Sequence, residues 1–268
     1  QEILIMSKVA GDTEKRPVVS LDCKVVDVQN LSEETFQILF EAPEGTQLQY
    51  HAGQYLQLEL DLNNDGQFQS LFYTIANSCD PVHPRRLELF IHNASEFSGK
   101  IIQHLAQLSE AGAFAKINLA MGNAYLQTDV SLPHVLIAAG SGISKIKCVT
   151  EEILRRNPDA DVNIYWSNKS ASDFYFLEEF NQWVQQHKNL NFTPIVEAAN
   201  DNWTGRSGYI YEVVDKDFAS LDGAQVYLCG SPRMVYGTID QLESKGLNEE
   251  NCYSDVFEYA PREKKQAV

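Results

Sequence analysis

The chain has 268 residues, enough for two modest domains, and 44% of them are hydrophobic, an ordinary share for a globular protein. Its formal charge of −16 opposes the phosphate backbone of nucleic acid and argues against that partner. No apolar run reaches the ~18 residues that a membrane span needs, while five cysteines without close pairing and six scattered histidines give no metal-ligand spacing and fit a reducing cytoplasm.

The opening QEILIMSKVAGDTEKRPVV has neither a basic leader nor a long apolar stretch, so residues 1–19 are expected to form a loose tail without a signal peptide. Next, SLDCKVVDVQNL and TFQILFEAP alternate apolar and polar residues and end at turn formers, as half-buried antiparallel strands do. QYLQLELDL repeats the pattern before the turn NNDG, and LFYTIAN and RLELFIHN follow. A short helix over Phe97 to Leu108 precedes AKINLAMGNAYL. Six short strands at this spacing predict a small antiparallel β-barrel over residues 20–126. Gln127 to Leu132 reads as a polar connection between domains.

From Pro133 the rhythm becomes strand, helix, strand. HVLIAAG, VNIYWSN, LNFTPIVEA and AQVYLCG alternate with helices expected over Ser144–Arg156, Phe174–His187, Tyr209–Asp217 and Arg233–Lys245. That order predicts an α/β domain with a parallel sheet over residues 133–260, followed by a tail over 261–268.

Within it, LIAAGSGISKIKCVTEEIL (residues 136–154) carries a chemical signal. A buried strand runs through Gly140 and Gly142 into a helix marked by Ile143, Ile146, Val149, Ile153 and Leu154 at helical spacing. Glycines let a ligand approach the backbone, and a helix start offers unpaired N–H groups and partial positive charge, which suits a phosphate. The third glycine of the full dinucleotide pattern is absent, because position 145 is Lys145, so a plain tight turn stands as the alternative.

In this order, AGQYLQLEL, LFYTIAN, GNAYL, LIAAGSGIS, IYWSNK, NWTGRSGYI, VYLCGSPRM and YSDVFEY resemble the small NAD(P)H:flavin reductases of the ferredoxin reductase superfamily, including the bacterial and luciferase-associated flavin reductases. The resemblance covers residues 21–259. It implies a flavin-binding barrel followed by a nucleotide-binding domain, and hydride transfer from NADH or NADPH to riboflavin, FMN or FAD, with secondary ferric reduction. Partners would be small-molecule substrates and a flavin-dependent acceptor enzyme, in the cytoplasm, with no membrane and no metal site.

On the same resemblance, Gly140, Ser141, Gly142, Ile143 and Ser144 cradle the pyrophosphate. Tyr73 lies along the flavin, the Thr74 hydroxyl addresses N5, Ile75 and Ala76 offer backbone groups, and Gly122 sits on the second flavin-side loop. Cys229 and Gly230, with Pro232 and Met234, fall on the nicotinamide side, while Lys169 and Arg206 are the cations for the adenosine half. A last strand, YSDVFEY, would return Asp255 to the nicotinamide and let Phe257 or Tyr259 cover the ring. Thr74, Cys229 and Asp255 are thus the catalytic candidates. Plainer roles stand beside these: a barrel-core Tyr73, a strand-forming Thr74, a buried apolar Cys229, solvated cations, and Asp255 in an exposed turn.

One departure matters. The family's flavin-phosphate arginine falls on Leu71, which implies a loosely held flavin unless Arg85, Arg86 or Lys100 compensates. A reductase with resident FAD serving a protein or ferric-siderophore acceptor, and a non-catalytic flavin or nucleotide module, are the rival readings.

Overall fold

Two six-stranded sheets, one antiparallel and one parallel, make up the computed structural model, which describes residues 16–200 and 202–263. The expected tails lie mostly outside the described residues, although Val19 already begins the first strand.

The first sheet contains β1 (Val19–Asn30), β2 (Thr35–Glu41), β3 (Tyr55–Leu60), β4 (Gln69–Thr74) and β5 (Arg86–His92); after α1 (Glu96–Glu110) comes β6 (Phe114–Met121). Its order is β4-β3-β6-β1-β2-β5. Alternation turns Leu56, Leu58 and Leu60 inward against Cys23, Val25, Ile117 and Leu119. The sheet curls until the Ala76 N–H, just beyond β4, donates to Glu88 O of β5 at 2.8 Å. Helix α1, capped by Ser95, covers this core with Ile101, Ile102 and Leu105.

The second sheet starts with β7 (His134–Ala139), a 3-10 turn (Gly140–Gly142) and α2 (Ile143–Arg156). It continues through β8 (Val162–Asn168), α3 (Leu177–Gln186), β9 (Leu190–Val196), β10 (Arg206–Ser207), α4 (Ile210–Asp217), β11 (Gln225–Cys229), α5 (Pro232–Leu242), β12 (Cys252–Tyr253) and α6 (Val256–Tyr259). The parallel order β10-β9-β8-β7-β11-β12 places β7 beside β11, where the chain reverses its direction of travel across the sheet. Ligands of open α/β sheets bind at such a switch point.

Two elements differ from expectation. Helix α3 begins at Leu177 instead of Phe174, because Phe174 and Tyr175 lie edge-on to Trp166 at 5.0 and 5.1 Å and Phe176 turns through φ 58°. Aromatic packing on β8 overrides the helical spacing. YSDVFEY is a strand only through Tyr253; Ser254 Oγ then accepts the Val256 N–H at 3.3 Å and the chain turns into α6.

The connection over 127–132 is tied down. His134 Nδ1 donates to Leu132 O at 2.8 Å, so its Nε2 accepts from the Thr128 hydroxyl at 2.7 Å. Burial lowers the His134 pKa, which keeps the ring neutral in this arrangement.

Candidate functional site

The β3–β4 register decides which side chains share a face. Counting outward from the middle of the NNDG turn pairs Leu60 with Gln69, Gln57 with Phe72 and Tyr55 with Thr74. Leu71 and Tyr73 therefore face the barrel core, and Tyr55, Gln57, Phe72 and Thr74 face outward. Burial pushes the Tyr73 hydroxyl up to about 12.

Thr74 opens onto a cavity of about 380 Å³ lined also by Tyr55, Phe72, Asp255, Glu258 and Tyr259. Phe72 is 58% exposed and Tyr259 64% exposed, so two large rings stay largely open beside the Thr74 hydroxyl and the carboxylates of Asp255 and Glu258. Flat apolar walls with few polar groups suit a planar heteroaromatic ring. Phe257 packs instead against Tyr236 at 5.9 Å. Gly122 (φ 99°) borders the same space: a Cβ there would stand 2.8 Å from the Tyr55 ring and 3.5 Å from Asp255 Oδ1. Ile75 and Ala76 are fully buried, and much of their backbone is committed: Ile75 N–H to Gln54 O, Ala76 N–H to Glu88 O, and Ala76 O to Lys147 Nζ at 3.1 Å.

Across the domain junction, the Gly140–Gly142 turn meets the end of β11. A Cβ on Gly142 would fall 2.4 Å from Cys229 O, and one on Gly230 would fall 2.4 Å from Met234 Cε. Ser231 caps α5 by accepting the Met234 N–H at 3.2 Å, with Pro232 in its first turn. Burial pushes the Cys229 thiol up to about 11, so it remains a neutral thiol at pH 7 and is no thiolate nucleophile. Ile143 and Ser144 are buried, whereas Gly140 and Ser141 line a cavity of about 500 Å³ at the carboxyl ends of β7 and β8. Lys169 lines it too. Arg206 does not: its guanidinium grips Asp217 of α4 at 2.7 and 2.8 Å.

The structure adds residues that the sequence did not mark. Lys145 is completely buried in the first turn of α2, where its Nζ meets Gly53 O, Ala124 O (3.0 Å) and Asp255 Oδ2 (3.0 Å). Asp255 is thus ion-paired, not in a solvated turn. Two residues on, Lys147 reaches Ala76 O, Glu151 (2.6 Å) and Glu88 (3.6 Å), while Glu151 accepts the Ser78 N–H at 3.0 Å. Helix α2 therefore ties the glycine turn to the segment just beyond Thr74. A cation in a helix's first turn opposes the macrodipole, which was the available sign that Lys145 needs a carboxylate.

A curled antiparallel sheet with a ring-sized cavity at its edge, set against a parallel sheet with a glycine turn at its switch point, defines a flavin- and nicotinamide-dependent oxidoreductase. Residues 22–125 match the model of the oxidoreductase FAD-binding domain, and residues 136–239 match the oxidoreductase NAD-binding domain. The chain is 30% identical over 190 residues to a probable flavin reductase of Aliivibrio fischeri, covering 70% of this chain and 79% of that one. It is 28% identical over 247 residues to an NAD(P)H-flavin reductase of Vibrio harveyi, covering 90% and 100% respectively. A cytochrome P450 reductase from Amycolatopsis has a similar fold, with TM-score 0.75 and 22% identity over 90% of this chain and 70% of that one. The chain belongs to the flavin reductases of the ferredoxin reductase superfamily, and it is an oxidoreductase that uses NAD(P)H to reduce flavin. Among the described residues, no helix is long and apolar enough to cross a membrane.

Proposed function

We propose that the flavin is a diffusing substrate, released after reduction to serve an acceptor enzyme, and that the preferred hydride donor is NADH. The first part rests on the face of β4 leading away from Thr74. Beyond Phe72, the outer face of β4 and its neighbours β3 and β6 presents Ser70, Gln57 and Asn118, which bond to one another at 2.9 and 3.1 Å, and the cation on β6, Lys116, is already paired with Glu59 of β3 at 3.3 Å. Leu71 points to the core, and Arg85 is engaged by Glu41 and Ala42 O. A flavin phosphate gains no charge-assisted bond from these groups.

When bound, the flavin would supply the two-electron acceptor for the hydride of a dihydronicotinamide. The chain's part is alignment. Tyr55, Phe72 and Tyr259 hold the ring, the Thr74 hydroxyl supports charge developing on it, and Asp255 faces the nicotinamide side. Purified protein should oxidise NADH with riboflavin and FMN at similar micromolar KM values. Converting Leu71→Arg should not lower the KM for FMN, because the inward-facing position cannot reach a phosphate, and should cost stability through a charge placed against the core, whereas Ser70→Arg should lower the KM for FMN alone. Stoichiometric FAD surviving dialysis would overturn the reading and favour a resident cofactor.

The donor preference follows from the larger cavity. Glu33, Glu34, Asp173 and Glu197 line it with Lys169 and His92, leaving negative charge in excess even after the 3.5 Å Glu34–His92 pair. A 2′-phosphate there meets like charge, while a ribose 2′-hydroxyl finds acceptors. The kcat/KM for NADH should exceed that for NADPH at least ~10-fold, which is about 1.4 kcal/mol of discrimination. Equal values would refute the preference.

A further inference from the structure

The completely buried ammonium of Lys145 touches two domains and the hydride-transfer cavity at once. Two of its partners, Gly53 O and Ala124 O, belong to loops flanking the antiparallel sheet, and the third, Asp255 Oδ2, follows the last strand of the parallel sheet. A lysine serving only as a domain fastener has its hydrogen bonds met by backbone carbonyls. This one also takes a carboxylate that lines the cavity with Thr74. The other oxygen, Asp255 Oδ1, is shielded and has no protein partner.

We propose that Lys145 is a positioning residue for hydride transfer: through Oδ2 it fixes the Asp255 carboxylate as a charged wall of the cavity that Thr74 shares. The two carbonyls reference that carboxylate to the sheet that carries Thr74. The assignment rests on the reading of this cavity as the hydride-transfer site. The groups facing Asp255 are Lys145 from α2, Cys229 from β11, Tyr55 from β3, and Glu258 and Tyr259 from α6. Lys145 is the cation among them. Without it, the carboxylate stands between a thiol, two phenols and a second carboxylate, with no cation to hold it in place.

The test is single-turnover flavin reduction by NADH in stopped flow, at saturating flavin, for the parent, Lys145→Met, Asp255→Asn and the double variant. Lys145→Gln, which keeps a donor for the carbonyls and removes the charge, replaces Lys145→Met if that variant does not fold. Each single change should slow the step about tenfold or more, and the double should be no slower than the slower single. The loss in the Lys145 variant should fall on the single-turnover rate at saturating NADH while flavin affinity stays within about threefold of the parent, a split that a merely structural role would not give. A Lys145 variant within twofold of the parent rate, or losses that multiply in the double, would overturn the assignment. A parent protein that reduces no flavin would overturn it by removing the hydride-transfer reading itself.

Discussion

Replacing Gly142 by alanine is expected to lower the unfolding temperature and to raise the KM for the nicotinamide nucleotide more than that for flavin. The added Cβ would stand 2.4 Å from Cys229 O, 2.9 Å from Cys229 C and 3.1 Å from Cys229 Cβ. These are mostly main-chain atoms of β11, where Cys229 is in register with Ala138 of β7, so they cannot swing aside as a side chain would. The start of α2 must move away from the switch point. Overpacking of this kind costs about 1–3 kcal/mol, and each kcal/mol shifts the midpoint roughly 2–4 °C in a chain of this size. Gly140→Ala is the control. A Cβ there meets nothing within 4 Å, and its cost is only the left-handed backbone at φ 55°, about 1–2 kcal/mol. Thermal melts and NADH and flavin kinetics on both variants check this; a Gly142→Ala protein with the parent's midpoint and KM would refute it.

The second large effect is expected from Lys147→Met. Burial works against the charge on this lysine, but Glu151 and Glu88 more than offset it and hold its pKa above the usual value. A lysine raised in the folded state contributes its full stability below the unfolded pKa and loses it only as the pH rises through the folded one. At pH 7 the contribution is therefore complete. Removing the ammonium leaves Glu88, whose side chain is 7% exposed, with a hydrogen bond from Gln37 and no cation, and it releases Ala76 O. Breaking a buried pair from one side costs about 3–5 kcal/mol. Denaturant titration at pH 7 should show that loss. Flavin KM should rise as well, since Ala76 and Ser78 continue the strand that bears Thr74. A loss below about 1 kcal/mol would mean that the cluster is solvated and outside the interior regime.

Much of the architecture is legible in local pattern. The alternation of LQLEL in β3 shows which residues turn inward, and NNDG fixes the β3–β4 register. That register alone would have set Phe72, not Tyr73, beside Thr74 on the outer face, and would have marked Tyr55 as its partner. The apolar run before Gly140 and the helical spacing after Gly142 place the turn between β7 and α2 within a residue. Elsewhere, local spacing is outvoted. Phe174 and Tyr175 sit at helical spacing yet stay out of α3 to cover Trp166. Arg206, a free cation by sequence, is spent on Asp217.

The sequence by itself determined the two-sheet architecture, the glycine turn and the residue types able to hold a flavin and a nicotinamide nucleotide. Periodicity and turn chemistry are properties of neighbouring residues, so one chain read in order contains them. Only the tertiary structure decided which charges meet. Lys145 bonds to Gly53 O and Asp255, and Lys147 to Glu88, across 92, 110 and 59 positions of sequence. Local pattern can show that Lys145 needs a carboxylate but not which one, because the low dielectric that makes such pairs strong and the burial that makes them necessary exist only once the two domains have closed on α2.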